Sequence, residues 1–296
     1  MSGSARPTFL VEGVPVPATP AGPGLHVVAT PIGHLGDVTL RALATLASAD
    51  LIACEDTRVT RVLLDRYGIR TPLLAYHEHN AEAQRPRLLA ALAEGKAVAL
   101  VSDAGTPLVS DPGYRLVAEA IAAGHPVVPV PGASALLSAL VTAGLPTDTF
   151  LFAGFLPPKT AARQKRLAGL KGIPATLVFY ESPHRLAESL ADMAAVLGDR
   201  KAAVARELTK TFEEVRRGGL AGLAAAYADA PTPKGEIAVV VAPPDETAPE
   251  AADVDALLLG LIPEKGVKGA ADEAAALTGL SRRDLYRRAL ELKDDG

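Results

Sequence analysis

Small and polar residues directly follow a short apolar run near the middle of the chain, in an order that could form a ligand site. The run Ala97–Val101 is typical of a buried strand, and the segment 102–107, SDAGTP, comes immediately after it. Ligands of open α/β sheets bind at the carboxyl ends of strands. Gly105 permits a positive φ and a close approach of the backbone to a ligand, while Pro107 restricts the shape of the loop.

An ordinary turn between a strand and a helix is the alternative interpretation of this segment. Such connections usually have about 2–6 residues. Here a second Ser-Asp pair, Ser110-Asp111, follows in the same loop before Gly113. The length and the repeated pair favour a binding loop over a plain connection.

Acidic residues end two other strand-like runs and could act as acids or bases. Glu55-Asp56-Thr57-Arg58 follows the run Asp50–Cys54, and Glu181, His184 and Arg185 follow the run Ala175–Tyr180. The first group could equally be a self-satisfied ion cluster at a helix start, where acids are favoured by the helix dipole. The second group could supply an acid, a base or a clamp for phosphate.

Metal chemistry and nucleotide chemistry find little support in the residue pattern. His77 and His79 are too few for a metal site without further ligands, so we predict none. No Gly-x-Gly-x-x-Gly follows the first strand, and no Walker-type Gly-Lys-Ser/Thr or Gly-x-Ser-x-Gly elbow occurs. These absences disfavour a dinucleotide enzyme, a nucleoside triphosphatase and a serine hydrolase.

Strands and helices alternate along most of the chain, which predicts an α/β protein with a parallel, doubly wound sheet and a second α/β half whose sheet is mixed or antiparallel. The motifs change near Phe150, and the last 40 or so residues have a helical pattern. The predicted divisions are a disordered extension at 1–24, α/β domains at 25–148 and 149–242, a linker at 243–252 and a helical extension at 253–296.

Composition indicates a globular protein of a reducing compartment. The chain has 296 residues, a net charge of −4 and a single cysteine, Cys54, which excludes an internal disulfide framework. No apolar run reaches the ~18 residues that span a bilayer, and the N-terminus lacks a signal-peptide pattern. We therefore expect a cytoplasmic protein without a membrane partner.

Two local basic patches stand out against the acidic whole. Residues 159–171 carry five cations and no acid, and the second helix of a helix-turn-helix pattern at 270–293 is rich in arginine. The alternatives for the second patch are a solvated helix that merely packs and the reading head of a DNA-binding regulator. The regulator would leave the upstream motifs unexplained.

Nine segments together resemble, in order and spacing, the bacterial 16S ribosomal RNA cytidine 2′-O-methyltransferases of the tetrapyrrole methylase superfamily. Small departures are His34 where Asn is usual, Phe212 where His or Tyr is expected, and Ile237-Ala238 for Phe-Val. The segments are ATPIGHLGD (29–37), ACEDTR (53–58), YHEHN (76–80), SDAGTPLVSDPG (102–113), VPGASA (130–135), FAGFLP (152–157), FYESPHR (179–185), RELTKTFEE (206–214) and GE (235–236).

The resemblance implies two α/β domains of the tetrapyrrole methylase type with a cleft between them, plus a C-terminal helical, helix-turn-helix-like extension. It also implies that S-adenosyl-L-methionine is held folded in the cleft. The residues implied to hold this cofactor are Pro31, Ser102, Asp103, Ala104, Gly105, Thr106, Pro131, Gly132, Ala133, Ser134, Phe152, Ala153 and Ala238.

The implied chemistry is an in-line transfer of a methyl group from a sulfonium to a ribose hydroxyl, in which alignment of the reactants and a positioned base both help. Glu55, Asp56, Glu181 and His184 are the candidate catalytic residues, with Asp103 a further possible base, and the sequence does not choose among them. The cations expected to meet RNA phosphates are Lys159, Arg163, Lys165, Arg166, Arg185, Arg206, Arg282, Arg283 and Arg287.

The implied substrate is a cytidine ribose in the decoding region, with the assembled small ribosomal subunit as the partner, and the implied assembly is a homodimer. A precorrin or other porphyrinoid methyltransferase of the same superfamily is the alternative. Such an enzyme would have no use for a basic helical tail.

Overall fold

The computed structural model describes residues 6–109, 113–244, 251–278 and 280–294. The chain divides into two compact units, Met1–Pro243 and Pro244–Gly296, called here the large unit and the C-terminal unit. The second Ser-Asp pair of the binding loop, Ser110-Asp111, lies outside the described residues. Among the described helices, none combines the length and the apolar character needed to cross a membrane.

Twelve strands and ten α-helices make up the described parts, with one-turn 3-10 helices at Leu35–Asp37 and Pro183–Arg185. In chain order the strands are β1 (Thr8–Val11), β2 (Val14–Pro17), β3 (Gly24–Val28), β4 (Leu51–Cys54), β5 (Leu73–Ala75), β6 (Ala97–Val101), β7 (Val127–Val130), β8 (Phe150–Phe155), β9 (Thr176–Glu181), β10 (Lys201–Arg206), β11 (Glu214–Gly219) and β12 (Ile237–Val241). The helices are α1 (Leu40–Ser48), α2 (Thr57–Arg66), α3 (Ala81–Ala93), α4 (Tyr114–Ala122), α5 (Ala135–Ala143), α6 (Thr160–Ala168), α7 (Leu186–Leu197), α8 (Leu220–Ala228), α9 (Ala251–Thr278) and α10 (Arg282–Asp294).

The N-terminal sheet of the large unit has the order β5-β4-β6-β3-β7, and every pairing in it is parallel. Parallel strands are covered on both faces, so their sequences are continuously apolar, and all five residues of β6 are buried. Because the strands are parallel, their carboxyl ends meet at one edge. The loops after β3, β4, β5 and β6 are therefore neighbours there.

The second sheet of the large unit is mixed, as the sequence suggested, with the order β11-β10-β12-β9-β8. Only β8 and β9 run parallel, and the other pairings are antiparallel. Its core contains Leu177, Phe179 and Val239 on one face, while Val178, Ala203 and Val240 on the other face pack with residues of α5. The fold class predicted for the large unit is confirmed.

The prediction that residues 1–24 are disordered is wrong for the described part of this segment. β1 and β2 form an antiparallel hairpin whose two turn residues, Glu12 and Gly13, both have positive φ, as two-residue hairpins require. Phe9 is buried in the same core as α1, and the main-chain N–H of Leu10 donates to the carbonyl of Tyr67 at 2.8 Å. The prolines of β2 suit a two-stranded sheet, since an edge strand tolerates residues without a donor.

The C-terminal unit consists of α9 and α10, as the sequence predicted in outline. A non-helical residue, Gly266 (φ 66°, ψ 170°), interrupts α9, so the segments before and after it fold back on a small common core. Leu258, Ala274 and Leu285 are buried in this core. The predicted turn residue Gly279 lies outside the described residues.

Candidate functional site

The large unit contains a cavity of about 370 Å³ with walls from both of its sheets. One wall is the loop after β6, and the opposite wall includes the ends of β9 and β12. Six of the thirteen residues predicted to hold a cofactor line this cavity. They are Asp103, Ala104, Gly105, Thr106, Ser134 and Ala238.

A second cavity of about 310 Å³ adjoins the first along Asp103 and Ala104, which line both. Pro31 and Ser102, two more of the predicted residues, belong to the second cavity. The remaining five lie outside both linings. These are Pro131, Gly132, Ala133, Phe152 and Ala153.

Hydrogen bonds between loops fix the shape of the first cavity. Thr30 and Gly105 exchange both of their main-chain hydrogen bonds, at 2.9 and 3.1 Å, which joins the ends of β3 and β6. The hydroxyl of Thr106 donates to the carbonyl of Ala133 at 3.2 Å and so ties in the loop after β7. Gly105 has φ 80°, and a Cβ there would lie 3.3 Å from Ile32, so a side chain would be strained and crowded. These hydrogen bonds hold the loops together at Thr30, Gly105, Thr106 and Ala133.

Two aromatic rings at the cavity are functional candidates that the sequence interpretation missed. Phe155 and Tyr180 pair across the parallel strands β8 and β9, with ring centroids 5.7 Å apart, and both line the cavity. The sequence interpretation named Phe152 as the aromatic residue that holds the cofactor. Its ring instead packs edge-on against that of Tyr180, with 4.9 Å between the ring centroids. Both missed residues stand within the recognised segments FAGFLP and FYESPHR, so the signal was present, but the strand register was needed to select them.

Glu55 and Asp56 follow the same strand but have opposite electrostatic environments. Asp56 caps α2, and hydrogen bonds from the side chain and main chain of Arg58 lower the pKa of its carboxyl to about 2. Asp56 thus forms the ion cluster that the sequence offered as an alternative. Burial and the charge of Asp103 raise the pKa of Glu55, although His77 partly opposes this.

Glu181 lines the cavity, yet its carboxylate is committed to neighbours. It is only 3% exposed and accepts hydrogen bonds from the main chain of Ser182 at 2.7 Å and the hydroxyl of Ser189 at 2.5 Å. Its ion pair with Arg185 has a 2.7 Å N···O distance. This geometry fits a residue that positions Arg185. His184 is exposed and lies outside the linings of both cavities.

The segment between β10 and β11 closes one side of the two cavities. The hydroxyl of Thr209 accepts a hydrogen bond from the main chain of His34 at 3.0 Å. The ammonium of Lys210 contacts Glu207 at 2.8 Å and Glu236 at 2.9 Å. Burial alone would raise the pKa of Glu207, but the hydrogen bonds from Lys210 and Glu236 hold it below its ordinary value. Glu207 and Thr209 have positive φ, which concentrates backbone strain beside the cavities.

Arg163 is not an RNA-facing cation, contrary to the sequence prediction. Its side chain is 1% exposed and pairs with Asp192 of α7 at 2.5 Å, with Glu188 at 3.6 Å. The acids lie far away in sequence, so the patch 159–171 seemed free of them. Its neighbours Lys159, Lys165 and Arg166 are exposed.

The other predicted cations differ in how free they are. Arg185 and Arg206 are partly buried in ion pairs with Glu181 and Glu214. In the C-terminal unit, Arg282 pairs with Asp272 and Arg287 pairs with Asp284 at 3.1 Å. Arg283 is exposed and has no ion pair within the described part of the chain.

Two solved structures with the same fold are named as methyltransferases. A cobalt precorrin-4 methyltransferase is similar with a TM-score of 0.57 at 17% identity, over 74% of this chain and 94% of that one. A uroporphyrin-III C-methyltransferase from Thermus thermophilus, solved with S-adenosyl homocysteine, has a TM-score of 0.52 at 20% identity, over 73% and 96%. These identities establish the fold alone.

Relatives found by sequence are much more similar to this chain than these solved structures are. A protein of Mesorhizobium japonicum named ribosomal RNA small subunit methyltransferase I is 63% identical over 280 residues, covering 94% of this chain and 95% of the relative. The protein of that name from Pseudomonas aeruginosa is 49% identical, over 90% and 96%. A family model described as "RsmI C-terminal HTH domain" matches residues 248–293, and one described as "Tetrapyrrole (Corrin/Porphyrin) Methylases" matches residues 24–224. With this model spanning most of the large unit, the chain belongs to the family of tetrapyrrole methylases.

Proposed function

We propose that the protein transfers a methyl group from S-adenosyl-L-methionine to the ribose 2′-hydroxyl of a cytidine in the decoding region of 16S ribosomal RNA, on the assembled small subunit. The observation that carries the proposal is the pairing of a tetrapyrrole methylase unit with a C-terminal unit that matches the RsmI helix-turn-helix domain. Relatives named for small-subunit RNA methylation match 94% and 90% of the chain.

The first cavity suits the proposed cofactor in size and chemistry. Its volume lies within the ~300–1,000 Å³ of small-molecule sites. The rings of Phe155 and Tyr180 offer faces for a purine, and the carboxylates of Asp103 and Glu236 suit the cationic sulfonium and amino groups. Gly105 leaves room for close approach to the loop backbone.

The bound cofactor supplies an electrophilic methyl group, and the chain's own residues supply alignment. The loops after β3, β6 and β7 are already joined by hydrogen bonds, so little ordering is needed on binding. Buried side chains such as Ile32 and Leu208 line the cavity and keep water away from the reacting atoms. Orientation of this kind contributes much of the rate in displacement reactions.

A porphyrinoid acceptor is the second candidate. Its support is the corrin and porphyrin chemistry in the description of the matching family model and the fold shared with precorrin and uroporphyrin methyltransferases. The resemblance to the superfamily also implies a homodimer. The proposed place of action is the cytoplasm. Light scattering at micromolar concentration tests the dimer, since the monomer mass is 30.5 kDa.

A methyl-transfer assay with labelled cofactor and three acceptors tests the proposed function. The acceptors are assembled small subunits lacking the modification, the naked RNA and a porphyrinoid. Label on the subunits supports the proposal. Label on the porphyrinoid alone would establish the second candidate, and equal labelling of naked RNA would contradict the requirement for assembly.

A further inference from the structure

The second cavity is a distinct space that shares a wall with the first. Both cavities are lined by Ile32, Asp103, Ala104 and Glu236. Groups held in the two cavities therefore lie next to each other at the segment 103–104. Two adjoining sites with a common wall are the arrangement that a two-substrate transfer requires.

The outer wall of the second cavity is an open apolar face on α2. Val59 and Val62 line it and remain 45% and 60% exposed, although neighbouring Leu63 is buried. The first cavity, in contrast, has buried strand residues in its wall, such as Ala205 and Ile237. A nucleotide within an RNA chain must enter with its phosphates outside, so the more open of the two cavities fits it better.

Charge around the second cavity also matches a nucleotide. Arg58 and Arg61 are exposed on α2 beside the two valines in sequence, and Lys210 lines the opposite side. Arg58 pairs with Asp56 and Lys210 pairs with Glu207 and Glu236, while Arg61 has no ion pair among the described residues. Exposed guanidinium groups next to an apolar face are suited to phosphates that flank a base or ribose.

Asp103 stands in the shared wall with one oxygen held and one oxygen open. The main-chain N–H of Asp56 donates to its Oδ1 at 2.9 Å, which fixes the carboxylate between the ends of β4 and β6. Within the described ranges no donor contacts Oδ2. The other candidate bases fit less well. Glu55, Asp56 and His184 line neither cavity, and both carboxylate oxygens of Glu181 already accept hydrogen bonds.

From this geometry we infer that the second cavity binds the target nucleotide against Val59 and Val62, and that Asp103 accepts the proton of its 2′-hydroxyl. This inference rests on the proposed function. The ribose oxygen forms a bond to the methyl carbon as the carbon–sulfur bond breaks. The bonding pair stays on sulfur, and the hydroxyl proton passes to the carboxylate of Asp103.

Val62→Glu tests the binding half of the inference, with Ile121→Glu as the matched control. Both residues are exposed, β-branched and helical, but Ile121 lies on α4 outside both cavities. A carboxylate in the nucleotide site raises the KM for small subunits about tenfold or more through desolvation and repulsion of phosphate. Ile121→Glu keeps the KM of wild type, and both variants bind S-adenosyl homocysteine normally by calorimetry. An unchanged KM for Val62→Glu overturns the assignment of the site.

Asp103→Asn tests the chemical half, because the amide retains an oxygen that can accept from Asp56. Single-turnover methyl transfer falls about 100-fold or more, in the range for loss of a general base. Binding of S-adenosyl homocysteine, which lacks the positive sulfonium, weakens by a much smaller factor than the rate. A near-normal rate, or a loss of cofactor-product binding that accounts for the loss of rate, overturns the role of Asp103.

The wild-type enzyme separates these failures from failure of the proposed function. If wild type does not label small subunits, the proposed function is wrong. If wild type labels them and the Val62 and Asp103 variants label them equally well, only the present inference is wrong.

Discussion

The pKa of Glu55 differs from that of the adjacent Asp56 because of where its carboxylate lies in the fold. It follows β4, between the strand ends that carry Asp103 and His77, since β4 pairs with both β6 and β5. Burial and the charge of Asp103 raise the pKa of Glu55, so the folded protein holds that proton more tightly than the unfolded chain does. The ionised form therefore costs stability once the pH exceeds the unfolded pKa.

Glu55→Gln is expected to raise the thermal unfolding midpoint at pH 7, where wild type carries this cost. The gain should shrink toward about pH 4, where the carboxyl of the unfolded chain is itself largely protonated. Thermal melts at the two pH values measure it. Glu78→Gln, which removes an exposed carboxylate, is the control. A gain of the same size at both pH values would contradict this explanation.

Arg163 provides a second test at the residue scale, because it was predicted to bind RNA and is instead buried against Asp192. Arg163→Ala leaves a buried carboxylate without its partner and should lower the free energy of unfolding by about 3–5 kcal/mol. Arg166→Ala, on the same helix but exposed, should change it by less than about 0.5 kcal/mol. Urea denaturation compares them. Equal stability of the two variants would contradict the burial of Arg163 against Asp192.

At the scale of elements, the hairpin β1–β2 shows which local signals were underestimated. Its segment is rich in proline and glycine, and composition alone favoured disorder. The segment instead forms a hairpin around the Glu12-Gly13 turn, in which Phe9 packs into the core that also contains residues of α1. Its few apolar residues gain enough by packing on an existing core, and no pattern within the segment reveals that core.

Phe9→Ala should destabilise the protein by about 3–5 kcal/mol, as large-to-small changes of buried aromatic residues do. Val14→Ala, an exposed position in the partner strand, is the control and should have little effect. Denaturant midpoints measure both. A tolerated Phe9→Ala would show that the hairpin contributes nothing to the core.

Strand ends were predictable from sequence, whereas pairings between distant elements were not. The loops 29–37, 102–106 and 130–135 were identified from strand-like runs followed by small residues, and the structure joins all three by hydrogen bonds. The choice of Phe155 and Tyr180 required the register of β8 on β9. The burial of Arg163 required the packing of α6 near Asp192 on α7. Each missed feature depends on a partner at least 25 or so residues away, which local patterns do not encode.

At the scale of the whole molecule, we expect the two compact units to have different functions, with the methyl transfer in the large unit and the placement on RNA in the C-terminal unit. The large unit holds both cavities, and the C-terminal unit has a small core of its own. The protein is acidic overall, so RNA must be met by several local patches at once. Weak contacts that engage together on one particle multiply their effect, which a short oligonucleotide cannot exploit.

Removal of the C-terminal unit after Pro243 should leave binding of S-adenosyl homocysteine nearly intact and sharply reduce methylation of small subunits. Calorimetry and the methyl-transfer assay measure the two properties, and thermal melts establish that the large unit remains folded. A truncated protein that labels subunits at the full rate would refute a placement role for the C-terminal unit.

The proposed acceptor atom is the 2′-oxygen of a cytidine ribose in the decoding region. Mass spectrometry of nucleosides and of mapped RNA fragments from small subunits, before and after treatment with the enzyme, tests this most directly. Treatment with the enzyme should produce new 2′-O-methylcytidine in the decoding region and nowhere else. A methyl group on a base, on another ribose or on protein of the subunit would contradict it.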